Sequence, residues 1–114
     1  MTRESLIEAG IDYDQGVHRF AGHAQIFEKY LLIFFDGNMM DTLRGQLQSG
    51  SYDLAFHTAH DLKGATGNLS LTALYTTICQ MVEILRTGMD DGTLMQLFEQ
   101  AAAQYALAEK SVKG

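Results

Sequence analysis

The chain contains no proline and no tryptophan, one cysteine, and only eight Lys and Arg against fourteen Asp and Glu. Each shortage closes off a class of protein. Proline breaks helices by removing a donor and clashing with the preceding turn, so its absence favours a domain built of helices. The single Cys79 excludes an intrachain disulfide framework. It suits a reducing compartment, where a lone cysteine is ordinarily a small buried hydrophobe. A formal charge of −6 leaves no basic face for a phosphate backbone, which argues against nucleic acid as the main partner. The longest apolar run, Tyr30 to Phe35, is far too short to cross a bilayer, and residues 1–16 hold no stretch of signal-peptide length. These features lead us to expect a cytoplasmic protein with no membrane partner.

What remains is ordinary for a globular chain: 46% apolar and 19% charged residues over 114 positions, enough for one domain spanning 1–114. The apolar residues recur at helical spacing. Short helices are expected near residues 3–9 and 16–21. A longer helix from His23 to Asp36 would turn Ile26, Phe27, Tyr30, Leu31 and Phe34 to one side. Asn38 can cap a second, with Met40, Leu43 and Leu47 inward. Ser51 can cap a third that runs to about Leu69, and Ser70 can start a fourth carrying Leu74, Ile78, Val82 and Leu85. Thr93 and Gln96 have the spacing of a capping box for the last helix, with Leu94, Leu97, Phe98, Ala101, Tyr105 and Ala108 along it. Gly10, Gly16, Gly22, Gly37, Gly50 and Gly88 fall mostly where this periodicity breaks. Short loops between such helices predict an all-α fold, an antiparallel up-down four-helix bundle over about 23–111. One or two short accessory N-terminal helices would cover one end.

One stretch does not fit a plain structural helix: AHDLKGATGNLS, residues 59–70. Glycine inside a helix costs about 1 kcal/mol relative to alanine, and here Gly64 and Gly67 both follow His60 within two turns. With Leu54, Thr58, Leu62, Ala65 and Leu69 on the core side, His60 falls about 180° away and points to solvent. Both glycines lie on the His60 side, which argues against close helix packing as their purpose. Helical side chains lean over the turn before them, so glycine would keep the imidazole uncovered. Lys63, three residues on, can bring its ammonium to the same region. Phe56 and His57 lie about one turn before. A bare convex surface is expected, with any further chemistry brought by a partner.

That arrangement suits phosphoryl transfer. Neutral imidazole is a nucleophile near neutral pH and can attack phosphorus. The transfer otherwise requires positioning and positive charge near the equatorial oxygens. His57 and His60 form a His-x-x-His pair, but two ligands do not make a tetrahedral metal site, so no metal is expected there. His18 and His23 sit near helix ends as structural or solvated residues. Phe56 is either part of a docking patch or half-buried beside a neighbouring helix.

The run His60-Asp61-Leu62-Lys63-Gly64-Ala65-Thr66-Gly67 resembles the signature of histidine-containing phosphotransfer domains of two-component phosphorelays. The likeness extends more weakly over about 10–110. It implies an antiparallel four-helix bundle with His60 as phosphoacceptor, Lys63 as electrostatic assistant, and Gly64 as the position that stays small to admit a partner. Gly67, Phe56 and His57 would belong to the access and docking surface. The resemblance implies no kinase machinery and no cofactor of the chain's own, Mg²⁺ being held by the partner. The partners it implies are receiver domains of response regulators and of hybrid histidine kinases, met by a monomer. Gln80 and Glu83 are both candidates to orient the imidazole. Other readings are a receiver-binding adaptor that transfers nothing and a phosphoaccepting domain cut from a larger histidine kinase. The initial Met and the full helical set lean toward a free-standing protein.

Overall fold

A computed structural model describes residues 1–114. It is entirely helical: α1 (Arg3–Glu8), α2 (Tyr13–Arg19), α3 (Ala24–Asp36), α4 (Met39–Gln48), α5 (Tyr52–Asn68), α6 (Thr72–Thr87) and α7 (Leu94–Lys113). The accessory N-terminal helices are two, and every long helix expected from periodicity is present. No helix is long and apolar enough to cross a membrane.

The chain reverses without proline because four helices end in the same hydrogen-bonded turn. After α1, α2, α4 and α5, a residue in the left-handed region follows the C-cap, and two backbone N–H groups reach back to carbonyls of the last turn. At α5, Leu71 donates to the Thr66 carbonyl at 2.9 Å and Ser70 to that of Gly67 at 3.2 Å. This pairing satisfies carbonyls that the helix end would otherwise orphan. Glycine supplies the left-handed residue at Gly10 and Gly50, but Ala21 and Ser70 supply it at the other two, each at φ +55°. Ser70 is buried there, and its hydroxyl bonds to the Gln15 side-chain oxygen at 3.0 Å. A glycine would relieve the backbone and lose that bond.

Caps differ from expectation. Asn38, Ser51 and Thr93 occupy N-cap positions, yet none accepts a capping bond through its side chain. Ser51 meets the Ser49 hydroxyl instead, and the α6 N-cap is Leu71, one residue past Ser70. The first turn of α7 is held by Asp90, whose carboxylate accepts from the Leu94 N–H at 3.2 Å. An acid four residues back thus replaces the capping box, with charge of the sign a helix N-terminus favours.

One core gathers residues from six of the helices: Leu6, Phe27, Leu31, Leu43, Leu62, Ile78, Met81 and Phe98 among the most buried. Packing is closest between α5 and α6, then between α6 and α7 and between α4 and α5; α3 leans on α7 and α2. Two faces are rotated from the expected ones. On α3 the buried residues are Phe27, Leu31, Phe34 and Phe35, while Ile26 and Tyr30 are 44% and 47% exposed. On α5 the core side is Ala55, Ala59, Leu62 and Thr66. Leu54 is 57% exposed, and Thr58 and Ala65 are only half-buried. The small alanines let α4 and α6 approach α5 closely, which a stripe chosen by hydrophobicity alone does not anticipate.

The accessory helices are keyed onto the end of the α5–α6 hairpin. Gly16 lies inside α2 rather than at a break, and the fully buried Phe27 ring fills the space its missing side chain leaves. The Asp12 N–H donates to the Ser70 carbonyl at 2.8 Å, and the Ala73 N–H to the Gly10 carbonyl at 3.1 Å. With the Ser70–Gln15 bond, these contacts set α2 beside the hairpin turn.

Candidate functional site

His60 is exposed on α5, as its place in the sequence predicts. From the observed core face, the helical angle puts it about 130° from the centre of burial, with Gly64 about 170° away. Gly64 therefore marks the outermost line of the helix, and His60 leans toward the α6 side. A Cβ added at Gly64 would find nothing within 4 Å. The turn above the imidazole is open.

Gly67 is different, and corrects the expectation that both glycines face away from packing. A Cβ there would come to 3.0 Å of the Tyr75 ring on α6. Gly67 is thus a close-approach position that lets the edge of the Tyr75 ring come against α5. The phenol of Tyr75 is pushed above its ordinary range chiefly by the neighbouring Cys79, with Arg19 acting in the opposite direction. Cys79 itself is only partly buried.

The surface beside His60 is not convex. An open cleft of about 530 Å³ runs from His60 and Lys63 past Gly64, Gly67 and Asn68 to Tyr75 and Thr72, and its far wall is Gln15 and Arg19 of α2. Eleven residues line it; two are cations and none is a carboxylate. In a chain of net charge −6 the cleft is a local reversal of sign.

Lys63 is half-buried and forms no ion pair within 4.0 Å, because Glu83 across the hairpin is taken by Arg86. Arg86 chiefly, and Lys63 to a lesser degree, hold the Glu83 carboxyl below the usual carboxylate range. This removes Glu83 as an orienting partner for the imidazole: its oxygens bond to Arg86, and neither it nor Gln80 hydrogen-bonds to His60. The imidazole instead has an aromatic neighbour. Phe56 is half-buried, packed on the core, with its ring 6.2 Å from that of His60 and 5.6 Å from that of His57. Of the two alternatives for Phe56, the half-buried position is the one observed, and its ring also flanks the histidines. His57 is exposed one turn before. His18 is exposed near the end of α2, and His23 is the N-cap of α3.

Arg19 is the residue that the reading of the sequence missed. It stands on an accessory helix, forty-odd positions from His60, and only the folding of α2 against the hairpin brings it to the same cleft. No group of three or more His, Cys, Asp or Glu is placed to hold a metal. The arrangement offers a nucleophilic ring at the mouth of a wide, cationic, hydroxyl-lined depression. Comparison of the chain with protein-family models, with curated proteins and with solved structures found no match.

Proposed function

We propose that the chain is a phosphocarrier: His60 takes a phosphoryl group from an aspartate of a receiver domain and passes it to another receiver. The observation that carries this reading is an uncovered imidazole with an unpaired Lys63 beside it and free space over Gly64. A lone-pair nitrogen of the neutral ring forms the N–P bond while the bond from phosphorus to the aspartyl oxygen breaks. The carboxylate leaves with that electron pair, and the ring's other nitrogen releases its proton to water. Lys63 offsets charge on the phosphoryl oxygens, where phosphoryl transfer most needs it. Catalytic Mg²⁺ belongs to the receiver, held by its carboxylates. The depression is too open to enclose a small donor, which fits a protein as the donor. In this reading α3 and α4 together make one long edge, and α5, α6 and α7 complete an antiparallel four-helix bundle, monomeric and cytoplasmic, that holds the histidine rigidly.

The test is transfer from phosphorylated receiver domains in Mg²⁺. His60→Gln should abolish acid-labile label on the chain, His57→Gln should retain it, and Lys63→Ala should slow its appearance with the melting temperature unchanged. Equal labelling of both histidine variants would remove the assignment. Stoichiometric receiver binding with no label moving at any Mg²⁺ concentration would favour the adaptor reading instead.

A further inference from the structure

Arg19 is the one arginine of four without a carboxylate. Arg3 bonds to Asp14 through two nitrogens, Arg44 lies 3.7 Å from Glu99 and over the Phe98 ring, and Arg86 is paired with Glu83. Arg19, Lys29, Lys63 and Lys110 have no ion pair within 4.0 Å, and of these Arg19 and Lys63 line the cleft. Arg19 also stands in a defined place. The bonds Asp12 to Ser70, Gly10 to Ala73 and Gln15 to Ser70 seat α2 on the hairpin, and Arg19 in its last turn faces the cleft that His60 opens.

We infer that Arg19 is a docking and specificity contact for an acidic rim on the protein that exchanges phosphoryl groups with His60. The inference rests on the phosphocarrier reading and adds a residue to it. A partner that holds Mg²⁺ beside an aspartyl phosphate must surround it with carboxylates. When its reactive centre is set over His60, part of that acidic edge overlies the cleft. The cleft answers with two cations, no carboxylate, and the neutral donor Asn68. The two cations divide the work by position. Lys63 is on the same helix as His60, one turn on, where it reaches the transferring group. Arg19 is on the opposite wall and exposed, where a charge steers encounter and registers the partner rather than acting on the reacting atoms. Arg19 is therefore a positioning residue.

The experiment measures transfer rate against concentration of a phosphorylated receiver domain encoded in the same genome, at about 50 mM and about 300 mM salt, for the full chain and its variants. With Arg19→Gln, the half-saturating receiver concentration should rise about fivefold at low salt, and Arg19→Glu should raise it further. The gap should largely close at high salt, where the screening length is short. The rate at saturating receiver should stay within about twofold of the parent chain. Lys63→Ala should show the reverse pattern, a lower saturating rate. Arg19→Lys should restore most of the affinity, because steering needs the charge. An Arg19→Gln chain with unchanged half-saturation at low salt, or one that loses only its saturating rate, overturns the inference while leaving the phosphocarrier reading intact. A parent chain that takes no label from any receiver overturns that reading, and this inference with it.

Discussion

Gly64 and Gly67 lie three residues apart on α5, yet a Cβ on the first would meet nothing within 4 Å and on the second would reach 3.0 Å of the Tyr75 ring. Gly16, inside α2, is tighter still, with the Phe27 ring where a side chain would begin. All three cost helix propensity, and they return it in different ways. At Gly16 and Gly67 the missing side chain lets another element come close, so the return is packing. At Gly64 nothing occupies the vacated space, as at Gly45 on α4, but here the open turn lies over His60 and keeps the imidazole reachable from outside. What a glycine within a helix makes room for is read from its neighbours.

The sharpest way to break this contrast is at the closed end. Gly16→Ala should cost about 2–3 kcal/mol by driving a Cβ into a fully buried ring, the overpacking range. Chemical denaturation would show it as a lower midpoint. The most direct test places one residue at both positions of α5. Gly67→Gln must move Tyr75, and even after the gain in propensity should lose about 1 kcal/mol, seen as a fall of a few degrees in melting temperature. Gly64→Gln should leave stability unchanged or raised by up to about 1 kcal/mol. It should nevertheless slow transfer to His60, since its side chain would lean over the imidazole. Equal melting losses at the two positions would erase the distinction drawn here.

The smallest expected effect lies where α1 is tied to α2. Arg3 holds the Asp14 carboxyl below its ordinary value, through a hydrogen bond first and its charge second. A carboxyl depressed in the folded state contributes stability at neutral pH and loses it as the pH falls through that lowered value. Arg3→Ala should therefore lower the melting temperature slightly near pH 7. The difference from the parent chain should vanish in strong acid. Both side chains are well exposed, so the effect is small and shrinks with added salt.

Much of the fold was legible from spacing. Met40, Leu43 and Leu47 on α4, and Leu74, Ile78 and Val82 on α6, are buried as their period requires. Faces failed where hydrophobicity and size compete. Leu54 is more apolar than Ala55, yet Ala55 shares the inward face with Ala59, Leu62 and Thr66 and is buried, while Leu54 is turned outward. Asn38, Ser51 and Thr93 take the N-cap positions expected of them but without side-chain capping bonds, and at α7 an aspartate in the preceding loop accepts from the first turn instead. At the site, the outward placement of His60 and Gly64 followed from the geometry of α5, while the clearance over Gly64 depends on no other element coming near. The role of Gly67, the pairing of Glu83 with Arg86, and the cleft itself each require a second element.

The order of residues in this chain determined that it is helical, roughly where each helix runs, and that a histidine, a lysine and a glycine share one stretch of α5. Those properties repeat with the helical period and need no knowledge of what lies alongside. Tertiary structure alone decided that the stripe's second glycine seats Tyr75 and that the surface beside His60 is hollow. It also decided that an arginine from a distant helix faces that hollow. Contacts between elements depend on how closely backbones approach and which partner reaches a group first, and no single helix carries that information.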